Sequence, residues 1–154
     1  MYSIVQATQE HVTKMLPQVR TADRYEVMAS SGRPIEDVLG PAVANADMAW
    51  AGMVGDKVAC IFGVTGASVL SETGHPWMIG TDLIAQHAKA FLRRNRKMVG
   101  VMLARYPYLM NYVDVRNTKA IEWLKWLGFS ILPPQPYGIY RMPFHPFEMR
   151  ADHV

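Results

Sequence analysis

The chain holds one cysteine, Cys60, in 154 residues. A single thiol excludes an internal disulfide and any multi-cysteine zinc or iron–sulfur site. It reads as a small buried hydrophobe in a reducing compartment. No apolar run approaches the roughly 18 residues of a membrane-spanning helix. Met1 to Gln6 lacks both a basic start and a long apolar stretch, so no signal peptide is expected and the expected location is the cytoplasm. The five histidines, His11, His75, His87, His145 and His153, show no metal-ligand spacing, and no metal is expected. There is no Gly-x-Ser-x-Gly elbow, no phosphate-binding P-loop and no Gly-x-Gly-x-x-Gly. Charged residues make up only 19%, and the formal charge of +3 is too mild to argue for nucleic acid, though it permits an anionic ligand.

Half of the chain is hydrophobic, a globular composition for one domain. The pattern predicts that domain over residues 1–144, with 145–154 as a loose tail. Its eleven methionines read as core filler. Tyr2 to Ala7 predicts a strand, and Thr8 a cap for the helix that Pro17 ends. Ala22 to Ser30 predicts a second helix, while 34–46 stays undecided between one helical turn and two. Met48 to Val54 and Lys57 to Val64 predict a hairpin turning at Gly55-Asp56, with Pro76 to Ile79 as its third strand. Helical periodicity starts at Leu83 and a second run spans Met98 to Arg105. Tyr108 to Val115 reads as a strand buried on both faces. Asn117 to Leu127 reads as a helix closed by a left-handed Gly128, followed by strands at Phe129 to Leu132 and Tyr137 to Phe144. This order predicts an α+β domain with a mixed sheet.

The run Asn117-Thr118-Lys119-Ala120-Ile121-Glu122-Trp123-Leu124-Lys125-Trp126-Leu127-Gly128-Phe129 resembles the last conserved helix of the GCN5-related N-acetyltransferase (GNAT) superfamily. The element order fits that fold over nearly the whole chain. A narrower resemblance rests on Trp77-Met78-Ile79-Gly80-Thr81, Phe91-Leu92-Arg93-Arg94 and Asn111-Tyr112-Val113-Asp114, taken together with that helix. These are similar to a family of small tailed-phage proteins, some labelled internal virion proteins and some acetyltransferase-like. The resemblance implies a bent mixed sheet whose two central strands splay into a V. It also implies transfer of an acetyl group from acetyl-CoA to an amine on a small molecule or protein. A phage or host protein is a further implied partner, with a virion-associated location; the alternative is an inactive GNAT-fold scaffold.

Residue by residue, the resemblance carries unevenly. The superfamily's phosphate-binding loop has two glycines, whereas the matching stretch Ile79-Gly80-Thr81-Asp82 has one and is acidic. Ile79, Gly80 and Thr81 are therefore either a modified cofactor site or a plain helix start. Asn117 matches a cofactor-arm position and equally suits a helix cap. The superfamily's acid tyrosine falls at Leu124, which cannot protonate a thiolate; Tyr112 is the nearest phenol. Strand alternation puts Tyr112 and Asp114 on one face as an acid–base pair, unless Asp114 bonds its own turn. Glu26 is a third catalytic candidate, on fold analogy. The cluster Arg93, Arg94, Arg96 and Lys97 is either a solvated helix end or a contact for a CoA 3′-phosphate, nucleic acid or an acidic partner.

Overall fold

The computed structural model describes residues 1–153; Val154 lies outside the described residues. Four strands form an antiparallel meander: β1 (Tyr2–Gln6), β2 (Met48–Val54), β3 (Lys57–Gly66) and β4 (Thr73–Gly80). The β2–β3 turn falls at Gly55, whose φ of 61° is the conformation glycine adopts without a Cβ penalty. Strand β5 (Tyr108–Asp114) continues the sheet, followed by β8 (Met142–Arg150) and β6 (Ser130–Ile131), with β7 (Gln135–Tyr137) also paired to β8.

Helices cover both faces. Between β1 and β2 lie α1 (Gln9–Met15), α2 (Thr21–Ser31) and α3 (Ile35–Asn45). Thr8 caps α1 in a reciprocal box in which His11 takes the place usually held by glutamate. The undecided 34–46 stretch forms α3 despite Pro41 inside it, because burial of Ile35 and Leu39 outweighs propensity. These helices pack on Ala51, Ile61 and Ile79. On the other face, α5 (Ala88–Arg105) and α6 (Thr118–Leu127) pack on Cys60, Phe62, Val64 and Leu109. The alternation Cys60, Ile61, Phe62 thus feeds two cores from one strand. Helix α6 ends as expected: Gly128 has φ 105°, and the Phe129 N–H reaches the Leu124 carbonyl at 3.0 Å.

The central strands splay. Strands β4 and β5 are parallel neighbours only at Thr73↔Tyr108 and Gly74↔Leu109. Beyond that seam they run on, unpaired with each other, to Gly80 and Asp114. The V-shaped gap lies between these two ends.

Three expectations are corrected. The helical segment from Leu83 breaks at His87 into a short α4 (Leu83–Gln86) and an uninterrupted α5 that includes Met98 to Arg105. The expected strand over Tyr137 to Phe144 is two strands separated by a turn at Gly138. Residues 145–150 are no tail: they belong to β8, which pairs with β5 from Asp114↔Phe144 to Tyr108↔Arg150. Pro143 and Pro146 speak against a central strand in the sequence, yet burial of Phe144 and Phe147 holds it there.

Candidate functional site

A cavity of about 320 Å³ occupies the gap between β4 and β5. Trp77, Met78 and Ile79 of β4 line one wall and Asn111, Tyr112 and Val113 of β5 the other. It reaches α2 and α3 on one side of the sheet and α6 on the other, where Ala120, Leu124 and Leu127 border it. Most of this lining is apolar. Near the seam, the Asn111 side-chain amide donates to the Pro76 carbonyl at 2.9 Å and fixes the angle of the V.

A polar network closes the far end. Helix α2 projects Asp23 and Glu26 from one face, since residues three apart on a helix are neighbours. Asp23 Oδ2 accepts the Gly80 N–H at 2.8 Å, and Glu26 Oε1 accepts the Asp114 N–H at 2.9 Å. The last amide of each splayed strand is thus held by a carboxylate of α2. Asn117 Nδ2 donates to Asp23 at 3.0 Å and to Glu26 at 3.2 Å. Arg20 donates to Asp23 at 2.9 Å and to Asn117 Oδ1 at 3.2 Å, and its guanidinium lies 4.7 Å from the Trp123 ring centre.

The electrostatics follow from burial and pairing. Burial raises the Asp23 carboxyl above its ordinary range, against the lowering by Arg20 and the Gly80 amide. Burial pushes Glu26 up to about 7, aided by the charges of Asp23 and Asp114 and opposed by the Asp114 and Asn117 hydrogen bonds. Among the described residues Glu26 has no ion-pair partner, and no donor reaches its Oε2. This side chain lines the cavity. It therefore exchanges a proton near neutrality beside a mostly apolar space, the property of a general base.

The remaining candidates separate. Asp114 is buried, and Arg116 takes both its oxygens, with Nη2 on Oδ2 at 2.6 Å and Nε on Oδ1 at 3.0 Å. The Arg116 N–H adds the turn bond at 2.9 Å. Tyr112 lines the cavity but stacks on Tyr137, with ring centres 3.9 Å apart. The structure gives no hydrogen bond between Tyr112 and Asp114. Glu26, by contrast, touches the Asp114 backbone. Leu124 is half-buried and lines the cavity with a side chain that can neither donate nor accept a proton. Arg93, Arg94, Arg96 and Lys97 are exposed.

The cofactor candidates stand at the β4 end. Ile79 is buried and lines the cavity. The Gly80 N–H is engaged by Asp23, and a Cβ at Gly80 would lie 2.5 Å from Ile84 Cδ1, so this glycine makes room for a core side chain. The Thr81 N–H and hydroxyl both donate to the Ala59 carbonyl at 2.9 Å. Asn117 occupies the cap position of α6 but makes no side-chain cap; its amide serves the network. The apolar walls of the gap fit the arm of acetyl-CoA. The amides of Gly80 and Thr81, engaged within the chain beside acidic Asp82, do not match its diphosphate. Among the described residues no cluster of His, Cys, Asp and Glu has metal-ligand geometry, and no helix is long and apolar enough to cross a membrane.

Sequence reasoning missed Arg20 and Asp23. Their signal is the spacing Arg20-x-x-Asp23-x-x-Glu26, which places Asp23 and Glu26 along one edge of α2 with Arg20 at its N-cap.

Comparison with solved structures shows the GNAT acetyltransferase fold. A GNAT-family acetyltransferase from Streptococcus pneumoniae superposes with a TM-score of 0.63 at 12% identity, covering 97% of this chain and 99% of the other. An aminoglycoside N(6')-acetyltransferase from Legionella pneumophila gives 0.67 at 9% identity, covering 99% and 93%. The Salmonella typhimurium acetyltransferase yncA, solved with acetyl-CoA, gives 0.67 at 11%, covering 99% and 95%. No protein-family model matches the chain, and no curated protein matches it in sequence.

Proposed function

We propose that the chain is an acetyl-CoA-dependent N-acetyltransferase acting on an amine, with Glu26 as general base. One observation carries this reading: Glu26, half-buried and titrating near 7, borders a cavity that passes through the splayed sheet. Acetyl-CoA bound in the gap would supply an acyl group activated as a thioester. Trp77, Met78 and Ile79 would hold its arm against Leu124 across the cavity and exclude water. Asn117 and the Gly80–Thr81 segment would lie at the arm's outer end. Glu26 Oε2 would take the proton that an ammonium must lose before its nitrogen becomes nucleophilic. Tyr112, a phenol on the cavity wall, would give its proton to the departing thiolate, and Asp114, fixed by Arg116, holds charge beside Glu26.

The second reading is a catalytically silent scaffold of the tailed-phage family that the sequence resembles, with a virion or host protein as partner. The engaged Gly80 and Thr81 amides and the inert Leu124 favour it. Titration calorimetry with acetyl-CoA, together with acetyl transfer to an amine panel, separates the two. Binding with turnover that falls about 10²-fold or more in Glu26→Gln supports the enzyme. Absence of both binding and turnover supports the scaffold.

A further inference from the structure

We infer that the cleft selects an acceptor with a single ammonium group carried on an apolar, aromatic-sized body, and rejects polyamines and polycationic sugars. This inference rests on the N-acetyltransferase reading. Its first support is a charge count. The network holds three carboxylates, Asp23, Glu26 and Asp114, and two guanidiniums, Arg20 and Arg116. Arg20 neutralises Asp23 at 2.9 Å, with both side chains nearly inaccessible, and Arg116 neutralises Asp114 through a two-point contact. Glu26 is left with neutral donors only. One negative charge is therefore free to meet one positive charge.

The second support is the wall of the cavity that Glu26 borders. Trp77 and Met78 of β4 and Tyr112 of β5 line it together with Tyr137. Tyr112 and Tyr137 stack with ring centres 3.9 Å apart, and Tyr137 meets the Phe144 ring at 5.2 Å. Apolar and aromatic side chains thus share the cavity with the one carboxylate of the network that has no guanidinium partner.

A monoamine with an aromatic body satisfies both features. Its ammonium meets Glu26, and its ring lies on the Tyr112–Tyr137 stack. A second ammonium would find no free carboxylate, and it would lose water against apolar side chains. The half-exposed Arg116, paired with Asp114 beside Glu26, would oppose it.

Calorimetry on the full chain without acetyl-CoA, at about pH 8 where Glu26 is ionised, with phenethylamine, butylamine, spermidine and kanamycin, tests this directly. The expected result is phenethylamine binding at least about tenfold tighter than spermidine or kanamycin, and also tighter than butylamine. Glu26→Gln should abolish the binding. Tyr137→Leu, with urea unfolding to check that the fold is kept, should remove the advantage over butylamine. Equal or tighter binding of spermidine or kanamycin overturns the inference. So does absence of amine binding, or a folded Tyr137→Leu variant that keeps the full preference. If phenethylamine binds as expected but no amine is acetylated, the cleft's selectivity stands and the acetyltransferase reading fails.

Discussion

Glu26 and Asp114 stand 88 residues apart, yet Glu26 Oε1 accepts the Asp114 N–H at 2.9 Å. A side chain of α2 thereby completes a strand end that the splay of the sheet leaves without a partner.

The burial of Glu26, which outweighs the pull of this contact, makes stability depend on pH in an uncommon direction. Glu26 titrates near 7 in the fold against an ordinary 4.5, so the native state keeps a proton that the unfolded state has released. Its contribution is full below about 4.5 and falls as pH rises through 7, a loss on the order of 3 kcal/mol. Glu26→Gln keeps the acceptor oxygen and has no proton to lose. Urea unfolding should show the variant close to wild type at about pH 5 and more stable at about pH 8.

Gly80→Ala separates packing from phosphate binding. The added Cβ would lie 2.5 Å from Cδ1 of Ile84, which is fully buried. The expected cost is about 1–3 kcal/mol of stability from overpacking, read as a lower urea midpoint without any ligand. A variant as stable as wild type would show that Ile84 has room to move.

Leu124→Tyr tests the missing acid. Leu124 is half-buried on the cavity wall, so a phenol there reaches open space. In the proposed enzyme it should raise the acetyl-transfer rate, by up to the roughly 10²-fold at the lower end of general acid catalysis. Steady-state kinetics at saturating acetyl-CoA reads the effect, and an unchanged or lower rate would place the proton source elsewhere.

Phe91→Ala should cost about 3–5 kcal/mol. Phe91 is fully buried and meets the Trp123 ring edge-on at 5.6 Å and the Tyr2 ring at 6.4 Å. Denaturant unfolding monitored by tryptophan fluorescence measures it.

Elements with strong periodicity were legible in the sequence: the β2–β3 hairpin, α6 with its Gly128 stop, and the buried β5. Strand β8 was hidden because Pro143 and Pro146 carry a turn signal that burial of Phe144 and Phe147 overrides. The break at His87 was hidden because apolar spacing runs through it. At the site, Glu26 and Asn117 were named, but their roles depend on which backbone amides face them, and no local pattern encodes that. Tyr112 and Asp114 share strand parity, yet Tyr137 and Arg116 claim them, and these partners come from other points of the chain.

The narrow seam between β4 and β5 has a consequence for assembly. Strands β2, β3 and β4 gain their sheet contacts over short connections, while β1 reaches β2 only across the three helices between them. The β5–β8 pair closes separately, from Asp114↔Phe144 to Tyr108↔Arg150. Only Thr73 and Gly74 join the halves through the sheet, by pairing with Tyr108 and Leu109. Asp23 and Glu26, reaching one strand end in each half, can engage together only after both have formed. During refolding, Gly80 and Asp114 should therefore be among the last central amides to gain protection from hydrogen exchange.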